Sequence, residues 1–486
     1  MKKLLIILTI IINILLISMV PLNMFALNIY MPEIISTILS EILLILNIAL
    51  LIKTHTVYKS LLIICLVSII VGFIGTYCNP YWNSLSFKNV SYKTKAYDTV
   101  LTKTQALEDL EYSMKYLRKL HPSTLKTNLD IEEQYKTVKN NIETKDTITV
   151  NYLSKEIESI FSKLEDAHTL VLGNYDDKHK LKEIEKHNKN KEVLKKVNDI
   201  DINELFEQNK IYYSYEMEED AFNQFKNDIL TLEGLDKLEI DTEEIKYTYE
   251  SNKKEKEYKY TKEDFLKKDE YNEYNKLTPK AEKSFVRYEI DKENNLAILY
   301  LDQCKNNNEY KRVLKEMFNQ IEENNIENIA IDLRNNGGGN STVFQEFLKY
   351  TDIDKYQEIG FDYRLGTLKL KIKSKEVKNE KNKTNWNGNI YALTSIDTFS
   401  AATMFAQYLK DNNIGTIIGE TSKNSQNSYG DVASFLLPNS KIYMQISTKK
   451  WYRINNTGDF IEPDINCESK EAIFKLYDTI KSTSEN

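Results

Sequence analysis

Apolar and polar positions divide this chain into a nearly wholly apolar first fifth and a polar, patterned remainder. Three runs, residues 4 to about 20, 34–52 and 61 to about 77, show little polar face, and each is near the ~20 residues that a helix needs to cross a bilayer. They predict three transmembrane helices within residues 1–77. Lys2 and Lys3 precede the first run, Lys53 and Lys59 separate the second from the third, and the loop between the first two has no lysine or arginine. The positive-inside rule then puts the N-terminus and the second loop in the cytoplasm and everything after the third run outside. A cleaved signal peptide competes for the first run, which has a basic start and an apolar middle, although no convincing small-x-small cleavage site follows it.

Beyond the membrane domain, residues 78–94 read as a linker and 95–172 as a mainly helical subdomain, with EDLEYSMKYLRKL as its clearest amphipathic segment. Residues 173–285 are dense in lysine, glutamate, asparagine and tyrosine, and read as solvated helices and strands of an insertion or intermediate subdomain. NNLAILYLDQ then opens an α/β core spanning residues 286–478. Within it, residues 326–334 (IENIAIDLR) form an apolar, β-branched run that stops at Asn335 and Asn336, the signature of a buried strand ending in a tight turn. Gly337, Gly338 and Gly339 follow. Lacking Cβ atoms, they allow positive φ and can aim amide hydrogens at a substrate oxygen. Residues 389–395 (NIYALTS) are a second strand, and 400–413 place Ala401, Met404, Phe405, Tyr408 and Leu409 on one helical face. Residues 414–420 (IGTIIGE) complete a strand-helix-strand crossover, the arrangement whose strand ends carry the sites of α/β sheets. Ser400 therefore opens a helix. A serine there is commonly an N-cap, but the helix dipole and the free Ala401 amide also suit a developing oxyanion.

These segments resemble the core of the tricorn and C-terminal-processing serine peptidases, whose fold is related to that of the crotonases and Clp peptidases. DLRNNGGG is similar to the family's oxyanion strand, and SAATMFAQYLKDNNIGTIIGETS to its nucleophile helix and next strand. The likeness continues through LLPNSKIYMQIST and FIEPDI, and begins near His121 and His168 in YLRKLHPSTL and KLEDAHTLVL. It implies an α/β fold with a crotonase/Clp-like catalytic core and a helical N-terminal subdomain, preceded here by the three transmembrane helices. No PDZ signature is found.

The family has two catalytic plans. The processing branch uses a lysine about 25 residues after the serine, inside a Gly-Lys-Gly turn, but position 425 is Ser425 and Lys423 has no flanking glycine. The tricorn-like branch takes its base from an Asp-x-His-Thr motif, which Asp166, Ala167, His168 and Thr169 match. The resemblance thus implies Ser400 as nucleophile, His168 as base, Asp459 or Glu462 as the carboxylate orienting the histidine, and the amides of Gly338 and Ala401 as oxyanion donors. An unperturbed imidazole pKa of about 6.5 suits the shuttling of a proton near neutral pH. Lys423 remains the alternative base.

The chain has 486 residues and a formal net charge of −7. Mild acidity, without a basic stripe of interleaved aromatics, argues against a nucleic-acid role. Cys65 and Cys78 fall in or beside the third apolar run, while Cys304 and Cys467 lie far apart, and no Cys/His cluster has metal-ligand spacing. No metal or cofactor is therefore expected, and the sequence leaves the oligomeric state open. Abundant lysine, asparagine, isoleucine and tyrosine point to an AT-rich bacterial gene. The expectation is a multi-pass cell-membrane serine peptidase whose extracytoplasmic domain hydrolyses polypeptide substrates. The alternatives are a catalytically silent peptidase-like domain that binds peptides or envelope components, and a membrane sensor or scaffold.

Overall fold

The computed structural model describes residues 95–484, apart from 126, 174–177, 278–282, 366–367 and 456–457, together with Ile7, Ser84 and Leu85. Apart from these three residues, the three apolar runs and the linker lie outside the described residues. Among the described residues no helix is long and apolar enough to cross a membrane.

Three helices come first among the described residues from 95 onward: α1 (Lys103–Leu120), α2 (Leu129–Thr144) and α3 (Val150–Phe161). Thr102 and Gln105 close α1 with a reciprocal capping box. A short strand, β1 (Leu170–Leu172), follows α3. The charged stretch then folds as a unit with a four-stranded antiparallel sheet and the helix α4 (Glu218–Asp228). Its own core contains Leu181, Phe206, Phe225, Ile245, Tyr247 and Tyr260, so the abundant charges cover a buried interior.

The strands of the two main sheets that follow are β2 (Val286–Asp291), β3 (Leu296–Leu301), β4 (Asn328–Asp332), β5 (Gly360–Leu365), β6 (Leu368–Ile372), β7 (Asn389–Thr394), β8 (Gly415–Gly419), β9 (Tyr429–Leu436), β10 (Tyr443–Tyr452) and β11 (Ile465–Asn466). The principal helices among them are α5 (Asn308–Asn324), α6 (Ala401–Asp411) and α7 (Ala472–Ser484). One six-stranded sheet runs in the order β2-β3-β4-β7-β8-β11, parallel from β3 onward. Period-two alternation explains its two faces. Ala297, Leu299 and Leu301 of β3 join the layer with α5 and α6, whereas Leu296 and Ile298 meet Ala472, Leu476 and Ile480 of α7. Every residue of β4 is buried, as expected for a central parallel strand covered on both sides.

The second sheet, β6-β5-β10-β9, is covered by the N-terminal helices: Leu110, Met114, Ile157 and Phe161 pack on Phe435, Met444 and Ile446. Burying each such large apolar side chain stabilises by roughly 1.5–3 kcal/mol. Strand β1 pairs antiparallel with β10, in the register Leu170↔Gln445 to Leu172↔Tyr443. That pairing carries the segment just before it, which holds His168, to the carboxyl ends of β4 and β7.

Candidate active site

Ser400 sits in the turn between β7 and α6 with φ 54° and ψ −122°. A non-glycine residue held there stores roughly 1–3 kcal/mol, sustained only where the surroundings dictate it. They do so here: Phe399 N–H donates to the Asn336 carbonyl at 3.0 Å, Thr398 Oγ1 donates to the Leu333 carbonyl at 2.9 Å, and Ser400 N–H donates to Asn424 Oδ1 at 2.8 Å. The Ser400 side chain makes no capping bond to α6, so its hydroxyl is not the N-cap that serine commonly provides. The next amide, that of Ala401, stands at the positive end of the helix dipole.

The three glycines press against this turn. Gly338 has φ +98°, and a Cβ built on it would lie 2.6 Å from Ser400 Cβ, 2.8 Å from the Phe399 carbonyl oxygen and 3.0 Å from Ala401 N. Gly339, at φ +132°, packs as closely on the Cys304 carbonyl, and Cys304 N–H donates to the Gly338 carbonyl at 2.9 Å. These contacts require glycine. The Gly338 N–H does not point at the serine, however. It donates to Asn336 Oδ1 at 2.8 Å, and Asn336 is itself buried and anchored by its own donation to the Leu301 carbonyl at 2.7 Å. Both residues of the donor pair expected from the sequence, Gly338 and Ala401, adjoin Ser400, but in this conformation the Gly338 amide is committed to Asn336.

His168 reaches the serine turn by stacking on Phe399, with ring centroids 4.3 Å apart and planes 24° from parallel. Gln445 Nε2 donates to its carbonyl at 2.8 Å, and Ser447 N–H donates to Thr169 Oγ1 at 2.9 Å, fixing the segment to β10. The residue is 8% exposed and neither ring nitrogen has a hydrogen-bond partner. Asp166, on the same turn, accepts from His168 N–H at 2.8 Å through Oδ1 and pairs with His121 Nε2 at 3.1 Å through Oδ2. Burial pushes the Asp166 carboxyl up, but the His121 hydrogen bond and charge, with smaller contributions from His168 and Thr169, outweigh it and hold the carboxyl down at about 2.

The model of peptidase family S41 matches residues 295–467, which include the glycine turn and Ser400. This chain carries an S41 peptidase domain. It is a serine-type peptidase. Its fold is similar to that of mature CPAF, at 11% identity and a TM-score of 0.53 over 78% of this chain and 96% of that one. A variant of CPAF gives 12% identity and a TM-score of 0.54 over the same shares, 78% and 96%. The photosystem II D1 C-terminal processing protease is matched more remotely, at 12% identity and a TM-score of 0.41 over 76% of this chain and 94% of that one. No curated protein matches the chain. His168 lies before the family match, and the β1–β10 pairing is what brings it to the peptidase domain.

Two sequence-derived candidates for the acid fall away from the histidine. Asp459 and Glu462 are exposed, and among the described residues the carboxylates nearest the ring are Asp166 Oδ1 at 3.8 Å and Glu216 Oε1 at 3.9 Å from Nδ1. The Asp459 backbone carbonyl accepts from Gln426 N–H at 2.9 Å, so the segment lines the edge of the site without turning its carboxylate inward. Glu216 had no sequence signal of its own, being one acid among many in the charged stretch. Lys423, the alternative base, is paired with Asp220 at 2.9 Å and lies over the Phe399 ring at 5.6 Å. Its ammonium is thereby committed to the inserted subdomain and not to the serine hydroxyl.

Asp166, His168 and Glu216 each offer a ligand atom within 4.8 Å of the others. Asp166 already uses both oxygens, which leaves two uncommitted ligands, fewer than a zinc site employs. Cys304 and Cys467 are free thiols. Burial pushes the Cys304 thiol up to about 12, so it is no competing nucleophile. A cavity of about 730 Å³ opens near Asn389, Gly415, Lys410 and Arg453. It lies at the amino ends of β7 and β8, the far end of the sheet from Ser400, and is not the reaction site.

Proposed function

We propose that this peptidase is anchored in a bacterial cell membrane by its three apolar runs and cuts polypeptides on the outer face through an acyl-enzyme on Ser400. The observation that carries the chemistry is the strained serine turn: an uncapped hydroxyl, the Ala401 amide beside it, and the His168 ring stacked on the adjoining Phe399. Ser400 attacks the scissile carbonyl, His168 Nε2 takes the hydroxyl proton and returns it to the leaving amine, and Ala401 N–H stabilises the oxyanion. The open hydrogen bonds of the histidine fit an unliganded enzyme, whose catalytic contacts tighten when substrate binds. Release of the Gly338 amide from Asn336 supplies the second oxyanion donor. Membrane anchoring rests on the length of the apolar runs, and the outward orientation on the lysine distribution.

The test is Ser400→Ala in the full chain. Peptide hydrolysis and labelling by a fluorophosphonate probe are both lost while the melting temperature is kept, and turnover surviving the substitution refutes the assignment. Digestion of the catalytic domain by external protease in spheroplasts checks the orientation. The committed Gly338 amide favours the second reading, a silent peptide-binding domain. Labelling of the unmodified chain at Ser400 excludes it.

A further inference from the structure

We propose that Glu216 is the carboxylate that orients His168, so that the inserted subdomain completes the peptidase site. This rests on Ser400 and His168 acting as nucleophile and base. Glu216 lies just before α4, on a connector of the charged subdomain that reaches across to the serine turn. Its Oε2 accepts from Asn424 Nδ2 at 2.7 Å and from Ser425 N–H at 2.5 Å. Asn424 in turn accepts from Ser400 N–H at 2.8 Å, so one carboxylate and one amide span from the insertion to the nucleophile's own backbone. The other oxygen, Oε1, is buried without a partner, 3.9 Å from His168 Nδ1, which is buried and unpartnered too. Two facing buried groups without bonds are costly, and a single N–H···O bond satisfies both. Closing to the 2.7–2.9 Å of a charge-assisted bond needs a movement of about 1 Å.

Asp166 Oδ1 is as near, at 3.8 Å, but already accepts from His168 N–H, and its second oxygen serves His121. Placement of Glu216 is also secured from below. Glu158 on α3, fully buried, accepts from Val171 N–H at 2.7 Å and from Ser214 N–H at 2.9 Å, joining the histidine segment and the glutamate segment through one side chain. Lys423–Asp220 adds a second clamp between the subdomain and the loop holding Asn424. With Nδ1–H donated to Glu216, Nε2 is the basic nitrogen, the tautomer that removal of the Ser400 proton requires.

The charged and titratable groups around the ring are Asp166 with His121 behind it, Glu216, Tyr429 beside His121, and Lys423 across Phe399. In the full chain in detergent, kcat, KM and the pH profile of a fluorogenic peptide are measured for Glu216→Gln, Glu216→Asp, Asp459→Asn and Glu462→Gln. Glutamine preserves the size and an acceptor for Asn424 and removes the charge. Expected for Glu216→Gln is a loss in kcat on the order of 10²–10⁴ with KM little changed. The acid limb moves to lower pH, because the imidazolium loses its counter-charge, and Glu216→Asp restores part of the rate. Unaltered kcat and acid limb in Glu216→Gln overturn the proposal, as does the same loss in Asp459→Asn. Fluorophosphonate labelling of the parent chain stands in either case, so failure here is separable from failure of the peptidase reading. A chain without measurable turnover is tested by NMR titration of the His168 ring: a midpoint lowered in Glu216→Gln supports the contact, and an unchanged midpoint refutes it.

Discussion

Substituting Gly338 by alanine puts one methyl group where the serine turn already is. The added carbon would stand 2.6 Å from Ser400 Cβ, 2.8 Å from the Phe399 carbonyl oxygen and 3.0 Å from Ala401 N. Non-bonded carbons come no closer than about 3.5 Å without repulsion, so Ser400 Cβ must retreat by about 0.9 Å or the glycine turn must give way. Backbone adds to the cost, because φ +98° is disfavoured for alanine. A strained φ of this kind costs about 1–3 kcal/mol and overpacking a further 1–3 kcal/mol, together roughly 2–6 kcal/mol. If the fold absorbs it, the melting temperature falls by roughly 5–15 °C. If the serine moves instead, a displacement near 1 Å costs about 10²-fold in rate. Gly337 is the internal control: its added Cβ meets nothing within 4 Å and its φ is not positive. Labelling rates with a fluorophosphonate and melting curves are compared for Gly338→Ala and Gly337→Ala. Near-parental behaviour of Gly337→Ala beside a slow or destabilised Gly338→Ala is expected. A Gly338→Ala chain that labels and melts like its control refutes the close approach of glycine turn and serine.

Lys423→Gln tests the lysine alternative: kcat changes by no more than about fivefold, the scale of losing a part-buried ion pair, and a loss like that of Ser400→Ala would restore lysine as the base. Asp166→Asn is read by urea denaturation between pH 2 and 7. The folded carboxyl, at about 2, lies below the ~3.9 of an unfolded aspartate, so its stabilisation is complete above about pH 4 and lost as pH falls towards 2, a difference of roughly 2–3 kcal/mol. The asparagine variant is expected to be less stable at neutral pH and to show a shallower acid loss, and parallel curves for the two chains would contradict the His121–Asp166 pairing.

What could be read in the sequence is what depends on local periodicity. Residues 328–332 and 389–394 are runs of Ile, Ala, Leu and Tyr that only a strand covered on both faces accommodates, and they are β4 and β7. Helix α6 carries its apolar residues at helical spacing, and that spacing by itself puts Ser400 at a helix start. The inserted subdomain was half legible. Its charges announced an exposed surface, but alternation of Ile245, Tyr247 and Tyr249 along one strand, all buried, marks an interior face that counting charges overlooks.

Orientation and long-range contact were not legible, for a physical reason. Whether the Gly338 amide points at the substrate or at Asn336 depends on a few backbone angles that glycine leaves nearly isoenergetic. Choice of the acid depends on which carboxylate the fold delivers, and the family resemblance favoured Asp459 and Glu462 although both face solvent. Glu216, nearly two hundred residues from the serine, wins its place through α3. That helix is buried around almost its whole circumference because it has two partners: Ile157 and Phe161 face the second sheet, while Asn151, Lys155 and Glu158 bond to the inserted subdomain or its connector at Asp236, Glu239 and Ser214. Polar residues at i, i+4 and i+7 would ordinarily signal an exposed stripe. Here each is paired across an interface, so α3 transmits the position of the charged subdomain to the histidine segment, and a polar stripe on a helix that is apolar elsewhere signals a buried junction as readily as a wet surface.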